Sequence, residues 1–292
     1  MGLMLVVVAS AFTASQSSSD HWLVQTEVVD MHQRLRVAAD TLTAELLKAG
    51  VGSYAGSTPG ALLNYTAAIF PYRSGGSADD PPGTYKTDTM TLMHVLPGST
   101  DITASTYWLK RDEANATYQL MLSSGTSPDV PVVDSVVDLG FEYDGESAPP
   151  TMRTPLSDPV GPWTTYGPKP STIAVPPYAA GENCVFINDR SGTPAPRLPA
   201  FGQPDVLLKL AAAELTDGPW CPDSTAPGRW DADLLRIRVV HVSLRVQSGL
   251  AALRGPASTL FTRSGTSRRA STLTPDLEIH FQVAPPNLNL DR

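Results

Sequence analysis

The chain has 292 residues, 41% of them hydrophobic and 17% charged, with 27 prolines and a net charge of −8. That length buries a substantial core in one large or two small domains. The acidic balance argues against nucleic acid as a partner.

The chain opens with "MGLMLVVVASAFTA", apolar and uncharged from Gly2 to Ala14. As a helix this run reaches about 20 Å, short of the ~30 Å hydrocarbon core of a bilayer. No basic segment precedes it, as one would in a signal peptide, although "VASA" passes as a weak cleavage site. Three readings stay open: a poor signal peptide, the start of a buried helix, or the downstream half of a membrane helix that begins before Met1. The third accounts for the most, because the run passes through "SQSSSDHW" into the next element without a helix breaker.

That element is an amphipathic helix over residues 20–49. Val24, Val28, Met31, Leu35, Ala38, Leu42 and Leu46 advance in steps of four and three, which keeps them on one stripe. Glu27, Asp30, Arg34, Arg36, Asp40, Glu45 and Lys48 occupy the other faces, and Gly50 supplies the stop. The stripe is expected to pack on a sheet.

The body, residues 51–292, reads as β. "TDTMTLMHVLP" is a strand ending on Pro, and "STYWLKRD" with "TYQLML" forms a hairpin around "DEANA". "VPVVDSVVDLGFEYDG" follows as a further strand region. About 145–232 is an irregular, Pro-rich insertion, since Pro lacks the amide donor that a ladder or helix needs. Within it "PDVLLKLAAAEL" is expected to be a short helix. "LLRIRVVHVSLRVQ" is a strand with a β-bulge at Val239–Val240, where the alternation slips. "LEIHFQV" alternates without a break.

The chemistry-bearing residues are sparse. His21, His32, His94, His241 and His280 show no ligand-spaced cluster, and no HExxH, GxSxG, GxxxxGK[ST] or GxGxxG motif is present. Asp231 and Asp233 offer two carboxylates, whereas calcium needs six or more oxygens. Asn64 and Asn115 fit the glycosylation acceptor pattern. Arg236, Arg238, Arg245, Arg254, Arg263, Arg268 and Arg269 form a basic stretch, expected mainly as a solvated face. Cys184 and Cys221 form a disulfide in an oxidising compartment and two free thiols otherwise. No catalytic, cofactor-binding or metal-ligating residue is singled out, and no cofactor is expected.

An apolar helix start runs into "QRLRVAADTLTAELLKAG", a β-rich body follows, and the chain closes on "TPDLEIHFQVAPPNLNL". This pattern resembles the type IV pilin-like proteins, of the PilW-like minor pilin or pseudopilin kind. The sequence departs from that family at its start, with no basic leader and no Glu at the fifth place after Gly2, so Met1 is expected to be internal to a longer reading frame. The resemblance implies an α+β fold in which a long N-terminal helix packs on a mainly antiparallel sheet, with a long Pro/Gly-rich excursion. It implies a non-enzymatic structural subunit that assembles or tips a type IV pilus or type II secretion pseudopilus. Its partners would be other pilin or pseudopilin subunits. It would sit in the inner membrane through the N-terminal helix, with the body in the periplasm, and then in the filament at the cell surface. The other reading is a secreted or periplasmic β-rich protein, ligand-binding or hydrolytic, with a weak N-terminal signal.

Overall fold

The computed structural model describes residues 2–52, 67–72, 84–99, 101–115, 117–124, 128–149, 178–203, 206–221, 229–254 and 274–288, with a few short pieces between them. Helix side chains are described at Met4 and from Trp22 onward.

One helix, α1 (Gly2–Lys48), precedes a body built from strands. Ile69–Phe70 (β1), Thr89–Val95 (β2), Ile102–Asp112 (β3), Thr117–Ser123 (β4) and Val130–Asp134 (β5) form a five-stranded sheet in that order. Val136–Glu146 (β6), Leu207–Lys209 (β7), Ile237–Val246 (β8) and Leu277–Val283 (β9) form a second sheet, in the order β7-β6-β8-β9. All pairings within these two sheets are antiparallel. Small two-stranded ladders, among them Phe186–Asn188 with Pro194–Pro196 and Trp220–Cys221 with Trp230–Asp231, occupy the Pro-rich region.

This architecture corrects the expected fold class. The protein is mainly β, with several antiparallel sheets, instead of an α+β fold of one long helix laid on one sheet. Among the described helix side chains, one stripe meets the body. Met31, Leu35, Ala38, Leu42 and Leu46 are buried, while Val24 and Val28 are half-buried. The five buried residues join a single core with Val240, Val242 and Leu244 of β8, Leu139, Phe141 and Tyr143 of β6, and Met90, Leu92, Tyr107 and Leu120 of the other sheet. The helix ends at Gly50, whose φ of 79° lies in the left-handed region.

Further sequence expectations change. The strand region after Val130 is two strands in two sheets. Ser135 breaks it with a φ of 59°, costly for a residue with a side chain, and its carbonyl accepts the Gln247 amide at 3.0 Å. The expected helix in "PDVLLKLAAAEL" is instead the short edge strand β7. There the Leu210 amide donates to the Tyr143 carbonyl at 2.9 Å, and a turn follows. Ladder bonds to an exposed sheet edge override local helix propensity. The β8 irregularity lies between Ile237 and Val239, slightly before the expected bulge.

Candidate functional site

Three regions carry polar or unmatched chemistry. The first is the outward face of α1. Opposite the buried stripe it presents Trp22, 73% exposed, and Val29, 66% exposed, seven residues on, with Leu23 beside them. Trp22 and Val29 lie two helical turns apart on one line, with Gln25 and Thr26 in a shallow dent between them. Further along this face Arg36 and Asp40 form an exposed ion pair at 3.6 Å, and Val37 and Leu47 are also exposed. Among the described residues, no helix is long and apolar enough to cross a membrane. The expected inner-membrane placement through this helix is therefore not supported.

The second region is a knot in the Pro-rich part. Cys184 and Cys221 are bonded and buried, with Cα atoms 5.2 Å apart. Beside Cys221 the ladder Trp220–Cys221 with Trp230–Asp231 brings Asp231 and Asp233 next to Asp217. Their ligating oxygens lie within 4.8 Å of one another. Two oxygens of Asp231 accept main-chain amides, from Gly218 at 2.6 Å and Asp233 at 2.8 Å, and Asp233 pairs with the buried Arg236 guanidinium. Burial pushes Asp231 up to about 6 and Asp233 up to about 7, the latter against the pull of Arg236. These hydrogen bonds spend most of the acceptor capacity that a cation would need.

The expected solvated arginine face is corrected here. Arg236, Arg238, Arg245 and Arg254 are all buried. Arg236 donates to the carbonyls of Ser147, Ala148 and Pro199 and lies 4.3 Å over the Phe201 ring. Arg238 donates to the Leu235 and Ile237 carbonyls and to Glu146 at 3.1 Å. Arg254 donates to the carbonyls of Ser248, Asn115 and Gly249. Arg245 faces the buried Asp276 at 3.8 Å. Buried guanidiniums are tolerated when main-chain carbonyls and carboxylates replace the lost water. Arg263, Arg268 and Arg269 lie outside the described residues, as does Asn64. Asn115 is exposed in the β3–β4 turn, its side chain donating to Asp112 at 2.7 Å.

The third region is an open groove of about 690 Å³ on the face of the β6-β8-β9 sheet that points away from the helix. Asp138, Gly140 and Glu142 of β6, His241 and Ser243 of β8, and His280 and Gln282 of β9 line it, with Tyr85 and Lys209 at its side. Sequence alternation sets these residues on the polar face. The cross-strand register that brings them together was not legible, because His241 and His280 lie 39 positions apart in the chain. Each histidine holds a carboxylate: His241 Nε2 lies 2.7 Å from Asp144, 97 positions away, and His280 Nε2 lies 2.9 Å from Glu278, two residues back along the same strand. Lys209 pairs with Glu142 at 2.7 Å.

No protein-family model, curated protein or solved structure matches this chain, so the pilin resemblance rests on the sequence features that carry it.

Proposed function

We propose that the protein is a structural subunit that joins a filament-type assembly through its N-terminal helix, in a role of the minor pilin or pseudopilin kind. The observation that carries this reading is the outward face of α1. Large apolar side chains at Trp22, Leu23 and Val29 stand in solvent on the helix that continues back into the apolar run from Gly2. A helix apolar on the side away from its own body supports a second packing partner. Neighbouring pilin or pseudopilin subunits are the partners this role needs, with their helices packed side by side.

The test is co-expression of the full chain with the filament subunits of its host, followed by shearing and sedimentation. The wild-type chain is expected in the sheared filament fraction. Trp22→Asp is expected to leave thermal stability unchanged and to lower incorporation by about tenfold, the effect of losing roughly 1.4 kcal/mol of contact. A wild-type chain absent from that fraction, or a variant that incorporates equally, overturns the reading.

A further inference from the structure

The groove on the outer sheet face is built around two small residues. Gly140 and Ser243 are cross-strand partners. A Cβ at position 140 would stand 2.5 Å from Ser243 Oγ, so any larger residue there would displace the Ser243 hydroxyl from its present place. His280 lies directly across from Ser243 on the other strand, and Gln282 directly across from His241. Asp138 and Glu142 flank Gly140 along β6, two residues to either side. The result is a depression with small residues at its centre and a ring of longer polar side chains.

The ring contains internal pairs. Glu142 is tied to Lys209, Asp144 to His241 and Glu278 to His280. Asp138 sits opposite the buried Arg245 in the β6–β8 register. Each acidic group therefore has a partner beside it or across from it: Lys209 and Arg245 as cations, and the two imidazoles as hydrogen-bond partners. A strongly anionic ligand would meet Asp138 and Glu142 at close range. A strongly cationic one would have to compete with bases already in contact with the carboxylates. An apolar ligand would desolvate these polar groups without replacing their hydrogen bonds. What the ring offers is alternating donors and acceptors at fixed positions: carboxylate and amide oxygens, imidazoles, the Ser243 hydroxyl and the Gln282 amide. Tyr85, half-buried at one side, adds an aromatic wall. A volume of about 690 Å³ lies within the usual range for small-ligand sites, roughly 300–1,000 Å³.

We propose that this groove binds a neutral polyhydroxylated ligand, a mono- or disaccharide seated over the Gly140–Ser243 pair. Hydroxyl groups both donate and accept, so such a ligand engages a ring of hydrogen-bonded pairs without breaking them. This binding goes beyond the structural role and does not depend on it, because the groove faces away from the helix.

The test titrates the full chain with glucose, galactose, mannose, N-acetylglucosamine and the disaccharides maltose, lactose and cellobiose, read by saturation-transfer NMR and calorimetry. Arginine methyl ester and inorganic phosphate serve as cationic and anionic comparisons. Saturable binding of at least one sugar is expected, exceeding both comparison probes. Ser243→Val fills the floor and Gln282→Leu removes an exposed donor and acceptor at the rim; each is expected to weaken that binding by about tenfold or more. Gln282 is exposed, so its variant reports on binding even where the Ser243 variant folds poorly. The proposal is overturned if no sugar in the set binds, if either charged probe binds more tightly than every sugar, or if Gln282→Leu leaves sugar binding unchanged.

Discussion

Asn287 donates its side-chain amide to the main-chain carbonyl of Leu47, 3.3 Å away, so the last described turn of the chain caps the end of its first helix. Leu288 packs on the same spot: a Cβ placed at Gly50 would lie 3.1 Å from Leu288 Cδ2. Gly50→Ala therefore combines a left-handed φ with a tight contact and should destabilise by about 1–3 kcal/mol. Asn287→Ala should cost less, about 0.5–1 kcal/mol, because the bond is exposed. Urea unfolding of both variants gives the comparison, and equal effects would contradict the packing at Gly50.

The buried stripe sets a second expectation. Leu42 has no exposed surface, and Leu42→Ala should cost about 2–5 kcal/mol. Arg36 is exposed, and Arg36→Ala should change stability by under about 0.5 kcal/mol. Arg34 is not an equivalent control despite its polar-face position. It contacts Asp30 and Glu27, and the Glu27 carboxylate accepts the Gly249 amide at 2.5 Å. Thermal melts of the three variants should rank Leu42, then Arg34, then Arg36.

The Cys184–Cys221 bond closes a loop of 37 residues in sequence separation. By the chain-entropy argument, its loss should cost about 4 kcal/mol, or less where the unfolded chain keeps residual structure. Peptide mapping without reductant should recover the linked pair, and the Cys184→Ala/Cys221→Ala double variant should unfold at lower urea. Free thiols in the oxidised, folded protein would contradict the bond.

Asp231 and Asp233 are raised by burial to about 6 and about 7, so the folded state holds their protons more tightly than the unfolded chain. That contribution is fully present below about pH 4, the ordinary carboxyl range, and is lost as the pH rises through about 6 to 7. Melting temperature should therefore fall across this window. Asp231→Asn should flatten the fall while lowering stability at acid pH, since the amide cannot accept from both main-chain donors. A slope identical to wild type would refute the shared burial of these carboxyls.

Arg236 is buried and binds Asp233 and the carbonyls of Glu146, Ser147, Ala148 and Pro199. Arg236→Leu leaves those acceptors without donors and should cost about 3–5 kcal/mol, whereas Lys110→Ala on the exposed part of β3 should cost under about 0.5 kcal/mol. Denaturant midpoints measured side by side test the difference.

The helix stripe and the β3–β4 hairpin were legible because their signals are local, a period of 3.6 and a turn flanked by Thr-rich runs. The buried arginines were not. In sequence Arg236 and Arg238 alternate with Ile237 and Val239 and read as the outward side of one strand, but Arg236 ends a 3-10 turn, Ala232–Arg236, just before β8. The Pro-rich chain around Ser147 and Pro199 covers it, from sequence distances of 89 and 37 residues. The groove was hidden for the same reason: a strand's polar face is visible in sequence, but which polar residues meet across strands depends on register. The division into two sheets hung on Ser135, whose left-handed conformation has no local mark.

That single residue also fixes how the body behaves mechanically. With only Ser135 between them, β5 and β6 carry one sheet directly into the other, leaving no slack for the sheets to swing apart. The Gln247 amide bonded to the Ser135 carbonyl pins the corner from the far end of β8. Fraying that begins in either sheet must therefore pull on the other, and the two sheets lose their order together as one cooperative unit.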